Sequence, residues 1–242
     1  MALRDRIRTQ IGVPRIPAAS RVENQVAVFT IVSEGQKEEP QYLRYVFSMC
    51  RRRFETSMQI HIINDELSAL GMPEHDSNPL SRLRSLKIWL SRYNPDFESH
   101  YDDTAWLICD RDDGSFSVKQ LRTVVNECEA FRIHFVLSNP AFQLWLLFHF
   151  TDNIRLQELN KAKFSKGKLM KVEEMLQEYV PDYKHGEIEM TNFDYLLDSA
   201  SNNSQLYPTS VQALKRHVGT NFSELMVFIK HAFGIKSFSH IL

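Results

Sequence analysis

The chain has 242 residues, with 29 Lys and Arg against 30 Asp and Glu, which gives a formal net charge of -1. This balance excludes a strongly basic protein that coats nucleic acid, so any grip on phosphates must be local. With 43% hydrophobic and 24% charged residues, and only 8 Gly and 9 Pro, the composition is that of a globular chain.

Cysteine content and apolar runs indicate where the protein resides. The three cysteines form no CxxC pair and have no zinc-like spacing, which favours a reducing cytoplasm. The arginine-rich N-terminal stretch lacks the apolar region of a signal peptide. The longest apolar run, 142–150, is far shorter than the ~20 residues that cross a bilayer. We therefore expect a cytoplasmic protein without a membrane segment.

We expect residues 1–24 to form an irregular arm. The order of predicted strands and helices from 25 to 150 indicates the fold class. Short apolar runs typical of buried strands occur at 26–32, 59–64, 104–109 and 133–137. They alternate with amphipathic helical patterns that open near Pro40, Pro79 and Val118. The helix that Pro140 opens is apolar almost all round, which predicts that it is buried at the centre of the molecule. This alternation predicts an α/β domain, with a mostly parallel four-stranded sheet flanked by helices. For residues 151–242 we expect a mainly helical region packed on the α/β domain, with a polar loop at 199–208.

Acidic side chains follow two of the predicted strands. Glu34 comes after the first strand, and Asp110 and Asp112 come after the third. In a parallel α/β sheet, ligands bind beyond the carboxyl ends of the strands, because loops and helix N-termini converge there. Residues i and i+2 of an extended segment project to the same side. Asp110 and Asp112 can therefore point to one spot while Arg111 points away.

Three carboxylates gathered at neutral pH repel one another unless a cation lies between them. Oxygen ligands without His or Cys suit Mg²⁺ or Mn²⁺, which also accept phosphate oxygens from a substrate. The pattern therefore predicts a divalent-metal site and phosphoryl chemistry with a metal-activated water. The alternatives are that DRDDG is a capped turn and that Glu34 is a solvated acid. A calcium EF-hand is excluded, because Leu121 would occupy its twelfth position, where Glu is required.

Four blocks of the sequence resemble the RloB-like proteins, in the same order. They are VFTIVSEGQKEEPQYLRYV, WLICDRDD, FVLSNPAFQLWLLFHF and YPTSVQALKRHV, and they fall between residues 26 and 220. The combination of four blocks is far more specific than any single motif.

The resemblance implies a TOPRIM-type domain, the α/β module of topoisomerases, bacterial primases and OLD-family nucleases. In that module a strand-end Glu and an Asp-x-Asp motif handle divalent metal. Carried over to this chain, they are Glu34 and the segment Asp110-Arg111-Asp112. The resemblance also implies a role in bacterial defence against phages or in restriction loci, with an ATPase partner often encoded nearby.

Two positions depart from the family pattern. Glu38 stands where the family commonly has Thr before the Glu-Pro step, and Gln143 stands where it commonly has Glu in the Asn-Pro block. The second change removes a carboxylate near the predicted site, although a Gln amide can still form hydrogen bonds. An inert version that only binds is therefore an alternative to an active enzyme.

Other residues are predicted to contact a nucleic-acid substrate. Lys37 precedes the helix opened by Pro40 and could reach a phosphate there. Residues 161–171 hold five lysines and no acid, with Phe164 available for stacking. Solvated lysines explain both features as well. His149, on an apolar helix, is more typical of a hydrogen-bonded core residue than of a general base, and the same caution covers His185 and His217. The predicted substrate-contacting residues are Gly35, Lys37, Gln143, Lys163, Lys166 and Lys168.

The leading hypothesis is a cytoplasmic nuclease, dependent on Mg²⁺ or Mn²⁺, that cuts DNA or RNA. Glu34 would act as metal ligand or general acid/base, and Asp110 and Asp112 would hold the metal. The second hypothesis is a catalytically silent module that binds nucleic acid or nucleotide and docks on an ATPase partner. Primase-like nucleotidyl transfer is a third alternative.

Overall fold

The structure is a computed structural model, and it describes residues 28–53, 58–68, 71, 78–93, 103–111, 116–162 and 164–241. The predicted arm, 1–24, lies outside these residues. Strands of the described chain form a five-stranded sheet in the order β2-β1-β3-β4-β5. The strands are β1 (Val28–Ser33), β2 (Gln59–Ile62), β3 (Thr104–Asp110), β4 (Ile133–Asn139) and β5 (Gly219–Thr220).

The sheet is mostly parallel. β1 runs parallel to both β2 and β3, with Val28 opposite Gln59 and Ser33 opposite Ile108. All six residues of β1 are buried, as expected for a strand covered on both faces. The edge strand β5 runs antiparallel to β4.

The four predicted strands are confirmed, and β5 is an addition that the sequence did not predict. A two-residue strand has no alternating pattern to recognise. Its glycine has a steric reason: a Cβ at Gly219 would lie 2.2 Å from the Pro208 carbonyl oxygen. The backbone of β5 can therefore pass Pro208 only because this position has no side chain.

Helices occupy most of the chain between and after the strands. Three belong to the strand-alternating part: α1 (Glu38–Arg53), α2 (Pro79–Tyr93) and α3 (Val118–Phe131). The later ones are α4 (Gln143–Leu147), α5 (Leu156–Lys161), α6 (Ser165–Gln177), α7 (Leu197–Ser204), α8 (Val211–Leu214) and α9 (Phe222–Ala232). None of these helices of the described chain is long and apolar enough to span a membrane.

Contacts divide the chain into two compact units. The first lies within 1–36, 57–108 and 119–135. In it the ring of Phe29 on β1 stacks on Trp106 of β3, with centroids 6.1 Å apart. Lys87 of α2 bonds Glu127 of α3 at 2.8 Å and lies over the Phe131 ring. Burial of apolar side chains, with a few paired charges, stabilises this unit.

The second unit lies within 37–56, 109–118 and 136–242. Its core is an aromatic cluster in which Tyr42, Phe142, Trp145 and Phe222 pack with centroids 4.9 to 5.8 Å apart. All five residues of α4 are buried, which confirms the predicted burial of this apolar segment.

Two helix predictions need correction. The apolar helix expected from Pro140 is regular only over Gln143–Leu147 and continues as turns to Phe150. The polar loop expected at 199–208 is wrong over 199–204, because Leu197–Ser204 form α7, whereas 205–208 lie outside the helix as expected. Leu197, Ala200, Ser201 and Ser204 are buried along one face of that helix. Tertiary packing of these mostly small residues overrides the weak helix propensity of Ser and Asn.

Candidate functional site

The turn after β1 carries Glu34, and hydrogen bonds fix its backbone. The Glu34 N–H donates to the Ile108 carbonyl of β3 at 2.8 Å. Asn64, just after β2, accepts from the Ser33 N–H at 2.9 Å and donates to the Ser33 and Gly35 carbonyls at 2.9 and 3.0 Å. The Ser33 hydroxyl also donates to the Gly35 carbonyl. Asn64 therefore holds the turn on which Glu34 is presented.

Asp110 is the last residue of β3 and is half-buried. The next residue, Arg111, is buried and tied down at four points. Its N–H donates to the Ser138 carbonyl at 2.7 Å, and its carbonyl accepts from the Ser165 hydroxyl at 2.9 Å. Its guanidinium donates to the carbonyls of Phe116 at 2.7 Å and Lys215 at 3.4 Å. The Asp-x-Asp segment is thus anchored through its middle residue.

Asp112 and Lys163 lie outside the described residues. Whether the Asp112 carboxylate converges with that of Asp110 therefore stays a prediction. Among the residues that the structure does describe, there is no group of three or more His, Cys, Asp or Glu placed to hold a metal ion.

Gln143 forms an unusual pair with Glu38. Both side chains are buried, with 3% and 4% of their surfaces exposed. The Gln143 amide nitrogen donates to the Glu38 carboxylate, which also accepts from the Tyr183 hydroxyl at 2.7 Å and from the Gly186 N–H at 2.8 Å. Glu38 and Gln143, the two positions that the sequence resemblance singled out, are therefore in direct contact. A carboxylate lies beside Gln143, although position 143 itself carries none.

The remaining oxygen of Gln143 is buried, and no described residue donates a hydrogen bond to it. A buried acceptor without a donor costs free energy, about 1–3 kcal/mol. The amide orientation follows from chemistry, because a carboxylate can only accept and the nitrogen must face Glu38.

Tyr183 and His185 come from a distant part of the chain and complete this cluster. Burial, followed by the charge of Glu38, raises the pKa of Tyr183 above its ordinary value, so the hydroxyl stays protonated and donates. His185 lies 3.3 Å from the Gln143 amide nitrogen and 2.8 Å from a Glu173 carboxylate oxygen. The His185 side chain is 63% exposed, so the cluster reaches from the interior to solvent.

The structure describes three of the predicted substrate-contacting lysines. Lys37 lies just before α1, and Lys166 and Lys168 lie in α6. Lys37 is exposed one residue before α1, and its side chain would be 3.6 Å from a Cβ at Gly186. Lys166 is exposed and Lys168 is half-buried on α6. Ser165, the first residue of α6, bonds the Arg111 carbonyl. The N-terminus of α6 is thereby attached to the segment that carries Asp110.

His149 is a core residue, as its sequence context favours. Its Nδ1 faces the carbonyls of Trp145 and Leu146 at 3.1 Å, and the Tyr42 hydroxyl lies 3.2 Å from its Nε2. This geometry fits a neutral ring with the proton on Nδ1. Burial lowers the pKa of His149 to about 4. The side chain is held in the interior and has no access to a substrate.

Some of these residues could not be recognised in the sequence. Asn64 had a weak signal, since it is the last residue of the predicted strand 59–64 and so lies at the same edge of the sheet as Ser33. Tyr183 and Gly186 had none, because they contact Glu38 across 145 and 148 positions.

Comparison with known proteins gives one match. A family model described as "RloB-like protein" matches residues 29–229. No curated protein and no solved structure matches the chain.

Proposed function

Because this chain belongs to the RloB-like protein family, we propose that it is a metal-dependent phosphodiesterase that cuts DNA or RNA. The proposal includes a role in bacterial defence against phages and an ATPase partner, both of which follow from the family resemblance. The carboxylates of Glu34, Asp110 and Asp112 would bind Mg²⁺ or Mn²⁺, since the donors are all hard oxygen atoms. The ion, when bound, polarises a phosphate and activates a water.

The observation that carries this proposal is the register of β1 and β3. Ser33 lies opposite Ile108, and the Glu34 N–H bonds the Ile108 carbonyl. Glu34 is the next residue after β1, and Asp110 is the last residue of β3. The acids thus leave two adjacent parallel strands at their carboxyl ends, where α/β sheets bind ligands.

The protein's own residues would have separate tasks. Glu34 ligates or transfers a proton, while Asn64 keeps its turn in place. Arg111 anchors the backbone between the two aspartates through its bonds to Ser138 and Ser165. Gln143, one of the predicted substrate-contacting residues, donates a hydrogen bond to Glu38 and so holds that carboxylate in place.

A cleavage assay tests the proposal. Asp110→Ala, Asp112→Ala protein and wild type are incubated with DNA and with tRNA in Mg²⁺ and in Mn²⁺. We expect cleavage by the wild type and none by the double variant. A variant of two exposed acids, Asp152→Ala with Asp182→Ala, is the control and should cleave normally. Undiminished cleavage by the first variant would refute the role given to these acids.

The second candidate is a silent module that binds nucleic acid and docks on an ATPase. Its support is Gln143, a neutral amide where the family commonly has Glu, and the near-neutral charge of the chain. The carboxylate of Glu38 beside Gln143 favours the enzyme instead, because it supplies the negative charge that position 143 lacks. Calorimetric titration with Mn²⁺ separates the two. Tight binding that Glu34→Gln abolishes supports the enzyme, and absence of binding supports the module.

A further inference from the structure

The connection between α5 and α6 presents an exposed aromatic ring. Phe164 is 71% exposed, the largest value among the exposed large apolar side chains of the described residues. It directly precedes Ser165, the first residue of α6. At Gly167, a Cβ would lie 3.3 Å from the Ala162 side chain, so this connection folds tightly on itself. Burying the ring would be favourable, yet it stays in water.

The ring lies close to the Asp110 segment. The Ser165 hydroxyl donates to the Arg111 carbonyl at 2.9 Å, and Arg111 directly follows Asp110. Neighbouring Cα atoms in a chain are about 3.8 Å apart. A group that contacts the Phe164 ring is therefore only a few residue lengths from the backbone that carries the acids.

Lysines lie on both sides of the ring among the residues that the structure describes. Lys161 at the end of α5 and Lys166 in the first turn of α6 are exposed, and Lys168 is half-buried. None of the three forms an ion pair with another described residue, whereas Lys171 pairs with Glu174. Unpaired lysines on either side of an exposed ring match a strand with charged phosphates and flat bases.

We infer that Phe164 stacks on an unpaired base, so that the substrate of the proposed nuclease is single-stranded at this point. The inference rests on the proposed function and specifies its substrate. In a duplex both faces of each base are covered by neighbouring bases, and a ring on the protein surface has no face to contact. An unpaired base offers a free face next to the phosphates that Lys166 and Lys168 bind. The combination distinguishes a single strand from a duplex without reading the sequence.

The test measures binding in EDTA, where the proposed cleavage cannot occur. Fluorescence anisotropy follows labelled single-stranded oligonucleotides and blunt-ended two-strand duplexes, each made of DNA and of RNA. Phe164→Ala and Phe164→Leu should weaken single-strand binding by about 5- to 150-fold, the range for one lost base stack. Phe164→Trp should bind as the wild type does, and its added indole fluorescence should change on binding. The control Tyr195→Ala, another exposed aromatic, should have no effect.

The results that would contradict the role of Phe164 differ from those that would contradict the proposed function. Unchanged single-strand binding by Phe164→Leu would show that no aromatic stack forms, and an equal loss on duplex would show that bases are not what the ring contacts. Either result overturns this inference. If the wild type still cleaves and the Asp110→Ala, Asp112→Ala variant does not, the proposed function stands without it. Failure of the wild type to bind either single-stranded oligonucleotide would also overturn this inference, whereas the proposed function is decided by the cleavage assay alone.

Discussion

Exchanging the acid and the amide between positions 38 and 143 tests whether the Glu38–Gln143 pair behaves as one unit. Both side chains are buried and bonded to each other. The double variant Glu38→Gln, Gln143→Glu keeps one carboxylate and one amide in the same contact. Each single variant instead creates two amides or two carboxylates. The stability of the four proteins therefore forms a double-mutant cycle.

The magnitudes follow from burial and charge. Gln143→Glu places two carboxylates side by side, and two unit charges about 4 Å apart repel by about 4 kcal/mol at an effective dielectric constant near 20. Glu38→Gln replaces charged acceptors for Tyr183 and Gly186 with a neutral one, which we expect to cost about 2 kcal/mol. The double variant regains the acid–amide contact. It should lie about 2 kcal/mol below the wild type, giving a coupling of about 4 kcal/mol.

Urea unfolding followed by circular dichroism at pH 7 measures these differences. The defect of Gln143→Glu should shrink as pH falls. One carboxyl of the pair has a raised pKa in the folded state and takes up a proton there before it does so in the unfolded state. Gln157→Glu, at an exposed position of α5, is the control and should change little. Additive effects, with the double variant the least stable, would refute the pairing.

Two other predictions concern stability. Burial holds the pKa of His149 at about 4 in the folded state, against 6.5 normally. As the pH falls, the unfolded state therefore binds the proton first. The free energy of unfolding should fall by about 3 kcal/mol from pH 6.5 to pH 4. Urea unfolding at several pH values should show that His149→Gln loses this pH dependence of the free energy of unfolding. The control His217→Gln, at an exposed position, should keep it. The same pH dependence in both variants would contradict the role given to His149. Gly219→Ala should destabilise by about 3 kcal/mol, because its Cβ would meet the Pro208 carbonyl. Its thermal midpoint should drop by roughly 6–12 °C, and an unchanged midpoint would be incompatible with this contact.

The strands were predictable because each is a short, continuous apolar run between turn signals. β1 and β3 are buried along nearly their whole length, and this is the pattern that the sequence carries. α7 was not predictable, because Ser and Asn dominate its sequence and its burial depends on neighbours elsewhere in the chain. The pattern of polar residues is the same for a loop and for a helix of small residues.

The candidate site was predictable only in part. Strand-end acids such as Glu34 and Asp110 can be found by position, since topology brings strand ends to one edge. The partners of Glu38 cannot, because Tyr183 and Gly186 approach it through the packing of the helical region. Glu38 in the sequence is simply an acid in the first turn of a helix, a common place for a solvated side chain.

The hydrogen bonds of the Asn64 side chain restrict which residue types can replace it. The side chain accepts hydrogen bonds from the N–H and the hydroxyl of Ser33, 31 positions earlier, and donates two to carbonyls of the turn around Glu34. Aspartate has the same shape but no N–H to donate, so it would set a negative charge against two carbonyl oxygens. Conversion of this amide to an acid, by mutation or by slow chemical deamidation, would therefore remove the two hydrogen bonds that Asn64 donates to the turn. The apolar contacts of the strands do not involve this amide and would remain.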